Sequence, residues 1–347
     1  LKRVLNSQDS SPILDCVILG AGMAGLCAGA SLMENGKDIN ILEKSRGLGG
    51  RLATRRVNLN ESSDQQAYFD HGIQFLEFSN SDSFQGFSHF LGPDRIQQWD
   101  LKSSSSFKVL RPLPGMSSVG KSFPSATQVL IKKKVTQINY QQESESWIVS
   151  VEDQSEYRAR QLISTMPVPQ MIEILSQSFL SFEHESVQRL MNVRYLPCIT
   201  LLIILKEETQ FHLMRNPDSA LELLIENKNK GISKEVPCLT VVASGEWSKI
   251  HFLDSSESIF ENLWKICKRW IPGEVLRYEV HRWKYSQPVN NLSNLIDRPF
   301  MRLHSEGVPH VSSLTLCGDA FGSAELKPFE RAIVSGQAGA DQVLQCL

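Results

Sequence analysis

At 347 residues the chain is long enough to bury a large core and to form two intergrown domains rather than one small module. A net charge of −2 and a pI near 6.5 argue against a nucleic-acid surface. The longest apolar run, Ile199 to Leu205, is far too short to span a bilayer and predicts a buried strand.

In chain order, Val17-Ile18-Leu19 predicts a buried parallel strand that runs into Gly20-Ala21-Gly22-Met23-Ala24-Gly25. Glycines at this spacing allow a tight turn, close approach to a pyrophosphate, and a helix start whose unpaired N–H groups favour an anion. Met23 to Asn35 is that helix, and Ile39-Asn40-Ile41-Leu42 is the second strand. Glu43 at the strand's end, with Lys44 beside it, is placed to accept hydrogen bonds from a ribose. Together these predict a βαβ dinucleotide site. The segment after the acid favours FAD over NAD: Gly49-Gly50 supplies a second bare-backbone stretch for the same pyrophosphate, and Arg51 and Arg55 add cations.

Ser103 to Ser106 predicts a loop near a crossing between domains. Gly115 to Ser122 matches the phosphate-binding loop G-x-x-x-x-G-K-S, yet Pro112-Leu113-Pro114 precedes it instead of a strand and Pro124 falls where its helix should begin. A short helix after Pro-Gly-Met is expected there. Gln128 to Ile138, Trp147 to Val151 and Gln161 to Thr165 predict strands, with a polar turn at Gln141 to Ser146, and Met166-Pro167-Val168-Pro169 stops the run. Lys132-Lys133-Lys134 predicts a solvated strand edge.

Helical patterns occur near Met171 to Leu180 and Ser256 to Trp270, with strands at Cys198 to Leu205 and Pro237 to Ala243 and a polar loop at Glu226 to Lys234. Strand alternation places His281, Trp283 and Tyr285 on one face. Ser313 to Cys317 predicts a strand ending at Gly318-Asp319, and Phe329 to Leu344 a helix whose small residues, Ala332, Ser335, Gly336, Ala338, Gly339 and Ala340, suit close packing.

Seven cysteines without a C-x-x-C pair predict reduced core residues in a reducing compartment. Eight scattered histidines give no metal-ligand spacing, and no G-x-S-x-G elbow appears. A bound flavin must then carry the chemistry, which makes an oxidoreductase.

Ser45 to Arg56, Phe69-Asp70-His71-Gly72-Ile73-Gln74-Phe75, His281-Arg282-Trp283-Lys284-Tyr285 and Leu316-Cys317-Gly318-Asp319-Ala320-Phe321-Gly322 together resemble the flavin-dependent amine oxidase superfamily. Within it the chain resembles the renalase-like branch, in its bacterial form, and the likeness spans nearly the whole chain. The resemblance implies an α/β fold: an FAD-binding Rossmann-type domain of glutathione-reductase-like, amine-oxidase form, intergrown with an α+β substrate domain on a mixed or antiparallel sheet. The implied divisions are 13–76, 107–168 and 309–347 for the FAD domain, and 77–106 and 169–308 for the substrate domain. By the same resemblance Val135 meets the adenine through its backbone. The segment His71-Gly72 returns to the flavin, and Gly318-Asp319 meets the pyrophosphate and ribityl chain. Glu330, Arg331 and Ala332, at the start of the last helix, approach the flavin edge, although many relatives carry glycine where Arg331 stands.

The resemblance further implies oxidation of misreduced dihydro isomers of NAD(P)H to NAD(P)+ on noncovalent FAD, with dioxygen giving hydrogen peroxide. A dihydropyridine becomes aromatic on losing hydride and needs no base. The alternatives are a flavin amine oxidase acting on a small amine, whose relatives carry a lysine where Tyr195 to Thr200 has none, or a lipid or carotenoid desaturase or isomerase. Candidates for lining the substrate cleft are His71, Gln74, Tyr195, His281, Trp283, Tyr285 and Phe321, with His71, His281, Trp283 and Tyr285 the expected catalytic set. No metal and no nucleic-acid partner is expected. The expected location is the cytoplasm, or an organelle interior if a leader upstream of Leu1 has been removed. Asn60-Glu61-Ser62 and Asn291-Leu292-Ser293 are glycosylation-type triplets expected to be coincidental.

Overall fold

The computed structural model describes residues 12–59, 64–79, 87, 96–99, 109–289 and 298–347. Ser103 to Ser106 and both glycosylation-type triplets lie outside the described residues.

Strand β1 (Ile13–Leu19) lies in the interior of an eight-stranded mixed sheet. It pairs in parallel with β2 (Ile39–Glu43) on one side and β11 (Glu156–Ser164) on the other. Outside β2 lies parallel β8 (Val129–Ile131); outside β11 lie parallel β18 (Leu314–Leu316) and antiparallel β17 (Met301–Leu303). The meander β9 (Val135–Gln141) and β10 (Ser146–Val151) hangs from the first half of β11. Cys16 to Leu19 is wholly buried, because helices and meander cover both faces and a parallel strand so placed is a continuous apolar run.

One face carries α1 (Met23–Glu34) and α7 (Pro328–Leu344), packed backbone to backbone. A Cβ on Gly336 would come within 2.2 Å of the Ala24 carbonyl oxygen, which is why that helix needs its small residues. The opposite core joins Trp147 of the meander to Met171 of α3 (Val168–Gln177) and Leu190 of α4 (His184–Met191).

The second sheet is antiparallel throughout, in the order β13 (Leu213–Asp218), β14 (Leu221–Glu226), β15 (Cys238–Ala243), β12 (Tyr195–Leu205), β16 (Val275–Pro288). Alternation divides β12: Ile199, Leu201 and Ile203 pack with Ile259, Leu263 and Trp264 of α6 (Ser256–Cys267). Leu202 and Ile204 face Val57, Ala67 and Phe69 of the ribbon β3 (Thr54–Asn58) and β4 (Gln66–Asp70). That ribbon packs on the second sheet and leads directly into Asp70-His71-Gly72. Helix α5 (Gly245–His251) is capped by Ser244 and α6 by Ser255. A small sheet orders β5 (Leu76–Glu77), β7 (Val109–Pro112) and β6 (Ile96–Gln98).

Several elements differ from expectation. Gln128 to Ile138 is two strands, because Lys132 takes φ +59° and the Lys132 and Lys133 amides bond to the Ser45 and Glu43 carbonyls, turning the chain off β2. Lys132 and Lys134 are exposed at the sheet edge, as expected, and Lys133 and Lys134 pair there with Asp153 and Glu152 at 2.6 and 3.0 Å. Helix α3 starts at Val168, since proline is tolerated in a first turn. The phosphate-loop-like segment is indeed a short helix, α2 (Ser117–Ser122), ended before Pro124, and Gly120 packs on Gly49.

Candidate functional site

The amino-terminal turn is shaped first by the protein's own packing. Gly20 takes φ +101° and a Cβ on Gly25 would lie 2.0 Å from the Gly20 carbonyl oxygen, so the turn and helix start demand both glycines. Gly22 is different. Its φ of −76° is ordinary and an added Cβ would meet nothing within 4 Å, so neither backbone nor packing explains the glycine. It caps α1 without a side-chain bond and faces open space at a helix N-terminus, where an anion is favoured.

Around this opening, the Glu43 carboxylate accepts from the Ala21 and Ser45 amides at 2.9 and 2.8 Å. The Gly49 amide donates to the Ala21 carbonyl at 2.7 Å, and a Cβ on Gly50 would stand 3.3 Å from the Gly22 Cα. The fingerprint and the glycine doublet therefore form one cradle. Met23 and Ala24 are buried behind it, Lys44 is exposed at its rim, and Val135 opens the neighbouring β9.

Arg51 joins this cradle to the carboxy-terminal motif. Its guanidinium bonds the Asp319 carboxylate at 2.6 Å and also donates to the Ser286 carbonyl at the end of β16. Gly318 donates to the Ser335 hydroxyl at 2.8 Å, fixing the turn before α7. The Arg331 guanidinium is committed to the Asp319 and Leu326 carbonyls at 2.8 and 3.0 Å. The Glu330 carboxylate is committed to the Ser79 amide and hydroxyl and to the Lys327 amide, a capping-box arrangement. What α7 offers is thus its backbone start, beside buried Ala332, rather than these two side chains.

The middle motif faces the second sheet. Gly72 sits where a Cβ would lie 2.1 Å from the Arg51 carbonyl oxygen, so His71 lies next to the glycine doublet. The His71 carbonyl accepts from Trp283 Nε1 at 2.6 Å and from the Thr200 hydroxyl at 3.1 Å. The His71 and His281 rings meet edge to face at 4.6 Å, and Trp283 stands 4.5 Å from His281 and 5.4 Å from His71. Burial, reinforced by Arg55, pushes the His71 pKa down to about 4. Burial, with His71 and Arg55, does the same to His281, also to about 4. His71 Nδ1 lies 2.9 Å from the Ala53 carbonyl; a neutral ring there carries its proton on Nδ1 and leaves Nε2 as an acceptor. Tyr285 continues the row and meets Tyr195 edge to face at 5.7 Å.

Two expectations need correction. Phe321 is 1% exposed and packs in the core against the meander, so it lines no cleft. Gln74 is also buried, with its amide donating to the Asp70 and Gly72 carbonyls at 2.8 and 3.0 Å; its Oε1 has no donor.

Sequence reasoning missed Lys230. It lies in the Glu226 to Lys234 segment, which is a connection as expected, but its side chain is wholly buried and bonds Asp70 Oδ2 at 2.6 Å. Asp70 Oδ1 accepts from the Thr54 hydroxyl and the Met116 amide at 2.6 and 2.8 Å. The available signal was the lysine's place in a connection that the antiparallel strand pattern brings back beneath β4, together with an aspartate that had no partner in its own motif.

Among the described residues no three or more His, Cys, Asp or Glu side chains gather as a metal site, and no helix is long and apolar enough to cross a membrane. All seven cysteines are free, and burial pushes Cys198, Cys238, Cys267 and Cys317 up to about 12, so none of these four is an activated thiolate.

Residues 18–91 match the family model of an NAD(P)-binding Rossmann-like domain, and residues 92–344 that of flavin containing amine oxidoreductases. A solved putrescine oxidase bound to putrescine is similar over 96% of this chain and 99% of its own, with TM-score 0.67 and 13% identity. Cyclohexylamine oxidase from Brevibacterium oxydans IH-35A is similar over 96% and 99%, with TM-score 0.64 and 10% identity. At these identities the likeness establishes the fold: a Rossmann-like FAD-binding domain on a mixed sheet, with an antiparallel-sheet substrate domain.

Proposed function

The chain belongs to the flavin containing amine oxidoreductases, and from that membership we propose a renalase-like enzyme that oxidises dihydropyridine nucleotide isomers on noncovalent FAD. Two observations support FAD. Gly22 is a glycine that neither backbone strain nor packing demands, opening onto a helix start beside Glu43 and the glycine doublet where a ligand can approach closely. The Gly49 amide and the close approach of Gly50 to Gly22 bring the glycine doublet onto the same opening. In this reading Gly20, Gly22, Gly25, Gly49 and Gly50 admit the pyrophosphate, Glu43 holds a ribose, and Val135 meets the adenine. Arg51 and Gly318-Asp319 flank the ribityl side, and the α7 backbone start faces the ring edge. We assign residues 13–76, 107–168 and 309–347 to the FAD domain and 77–106 and 169–308 to the substrate domain.

When bound, FAD supplies two-electron chemistry, taking electrons from the substrate and passing them to dioxygen with hydrogen peroxide as product. The chain's part is orientation. Trp283 and Thr200 hold the His71 carbonyl, and the neutral His71 and His281 rings, set edge to face beside Trp283, give an uncharged aromatic cluster against which a pyridine can pack. That cluster carries the substrate reading: both imidazoles are neutral, the Asp70 carboxylate is consumed by Lys230, and Glu279 on the same face of β16 is already shared by Arg55 and Arg277. No carboxylate among these is free to pair with an ammonium, and a dihydropyridine needs none.

The second reading is amine oxidation. The family's name favours it, as do solved relatives named for putrescine and cyclohexylamine, and the edge-to-face Tyr195–Tyr285 pair is an aromatic wall that suits an amine. Anaerobic mixing of the yellow protein with 2- or 6-dihydro-NAD(P), ordinary NAD(P)H, or small amines separates the two. Bleaching of flavin absorbance by the dihydro isomers supports our reading; bleaching by amines alone overturns it.

A further inference from the structure

We propose that Arg55 and Arg277 form a phosphate-reading subsite on the face of β16 that carries His281 and Trp283, so that the substrate accepted there is anionic. The inference rests on the dihydropyridine reading and adds the recognition of the nucleotide's phosphates. Alternation sets Arg277, Glu279, His281, Trp283 and Tyr285 on one face of β16. That face is turned toward the β3–β4 ribbon: Trp283 reaches the His71 carbonyl, Glu279 reaches Arg55, and Arg277 donates to the Asn58 carbonyl at 3.3 Å. The other face is spent on packing, with Tyr278 and Val280 in the core beside α6 and Arg282 bonded to the Phe252 and Asp254 carbonyls.

Charge is unbalanced along this row. Arg55 and Arg277 meet the same Glu279 carboxylate at 2.9 and 3.3 Å, leaving one net positive charge. One carboxylate cannot satisfy five N–H donors on each of two guanidiniums. The two arginine side chains are 38% and 40% exposed, so their remaining donors are open to a ligand. Phosphate, like carboxylate, matches a guanidinium fork, and it is the anion that a nucleotide substrate brings.

Spacing suits a nucleotide. His281 lies four residue steps along the strand from Arg277, about 13 Å of backbone at the usual strand rise, and the arginine side chains can reach back across part of it. A pyridine on the His281 and Trp283 rings would extend its ribose past Glu279 and bring its diphosphate to the guanidiniums. Arg55 also depresses both imidazole pKa values, as a cation close to both rings must.

The test uses the FAD-loaded protein and two measurements. In the first, anaerobic bleaching by dihydro-NAD isomers is compared with bleaching by the same ring on a phosphate-free riboside. We expect Arg277→Gln and Arg55→Gln each to cut the preference for nucleotide over riboside about tenfold, the worth of one lost charge-assisted contact. Arg277→Lys should restore part of it. In the second, equilibrium binding of unreactive ADP-ribose is read calorimetrically, which needs no turnover. Glu279→Gln, which frees both guanidiniums, should tighten it, whereas a purely structural tie between β3 and β16 would loosen. Unchanged preference in the arginine variants, or no ADP-ribose binding to the parent protein, overturns the inference. Absence of bleaching by either donor, with ADP-ribose binding intact and lost in Arg277→Gln, would instead overturn the substrate reading and leave the anion subsite supported.

Discussion

Lys230 and Asp70, both shut off from solvent, meet at 2.6 Å and fasten the connection after β14 to the end of β4. The aspartate also holds Thr54 and the Met116 amide, so one carboxylate ties four chain segments together directly before His71. Removing one partner of a buried pair leaves an uncompensated charge, which costs about 3–5 kcal/mol. Lys230→Met should therefore lower stability by that order in denaturant unfolding, and adding Asp70→Asn should recover part of the loss. A single variant within about 1 kcal/mol of the parent would contradict this role for the pair.

Gly22 and Gly25 separate ligand from packing. On flavin-free protein, Gly22→Ala should leave stability within about 0.5 kcal/mol, because its Cβ enters open space, while FAD affinity drops about tenfold or more. Gly25→Ala should destabilise the same flavin-free protein by about 1–3 kcal/mol or more, because its Cβ meets the Gly20 carbonyl. Equal effects of the two substitutions on flavin-free protein would remove the case that Gly22 faces a ligand.

His71 and His281 give a pH prediction with a definite sign. Each takes a proton near 6.5 when unfolded but only near 4 when folded, so the unfolded state binds more protons between those values. Their contribution to stability is complete above pH 6.5 and is lost as pH falls toward 4, seen as a falling melting temperature. The rate of flavin reduction by a dihydropyridine should be flat from about pH 6 to 8 and fall below about 5 as the rings charge. An amine substrate, which must be neutral to react, would instead give a rate that climbs into the alkaline range.

The Trp283 indole N–H holds the His71 carbonyl at 2.6 Å, and phenylalanine keeps the ring but loses the donor. Trp283→Phe should cost about 1–2 kcal/mol of stability and slow flavin reduction, with the limiting rate affected more than substrate affinity. Weaker affinity at an unchanged limiting rate would mean that Trp283 is a binding surface and does not position His71.

The parts legible in the sequence are those whose chemistry is encoded locally. Gly20 to Gly25, Glu43 and Gly49-Gly50 state their turn, helix start and acid within a few dozen residues, and the alternation of His281, Trp283 and Tyr285 needs only a strand. Lys230 was not legible, because its burial is created by the return of β14 and β15 beneath β4, and a polar connection usually lies on the surface. Phe321 misled for a related reason: it sits beside a functional motif but fills a core.

Bound, exchangeable FAD is tested most directly by the flavin content of the purified chain after acid precipitation. We predict a yellow protein that releases FAD into the supernatant, one molecule per chain, and takes it up again after removal. A colourless protein that binds no FAD on titration, or flavin that stays with the precipitate, would contradict this.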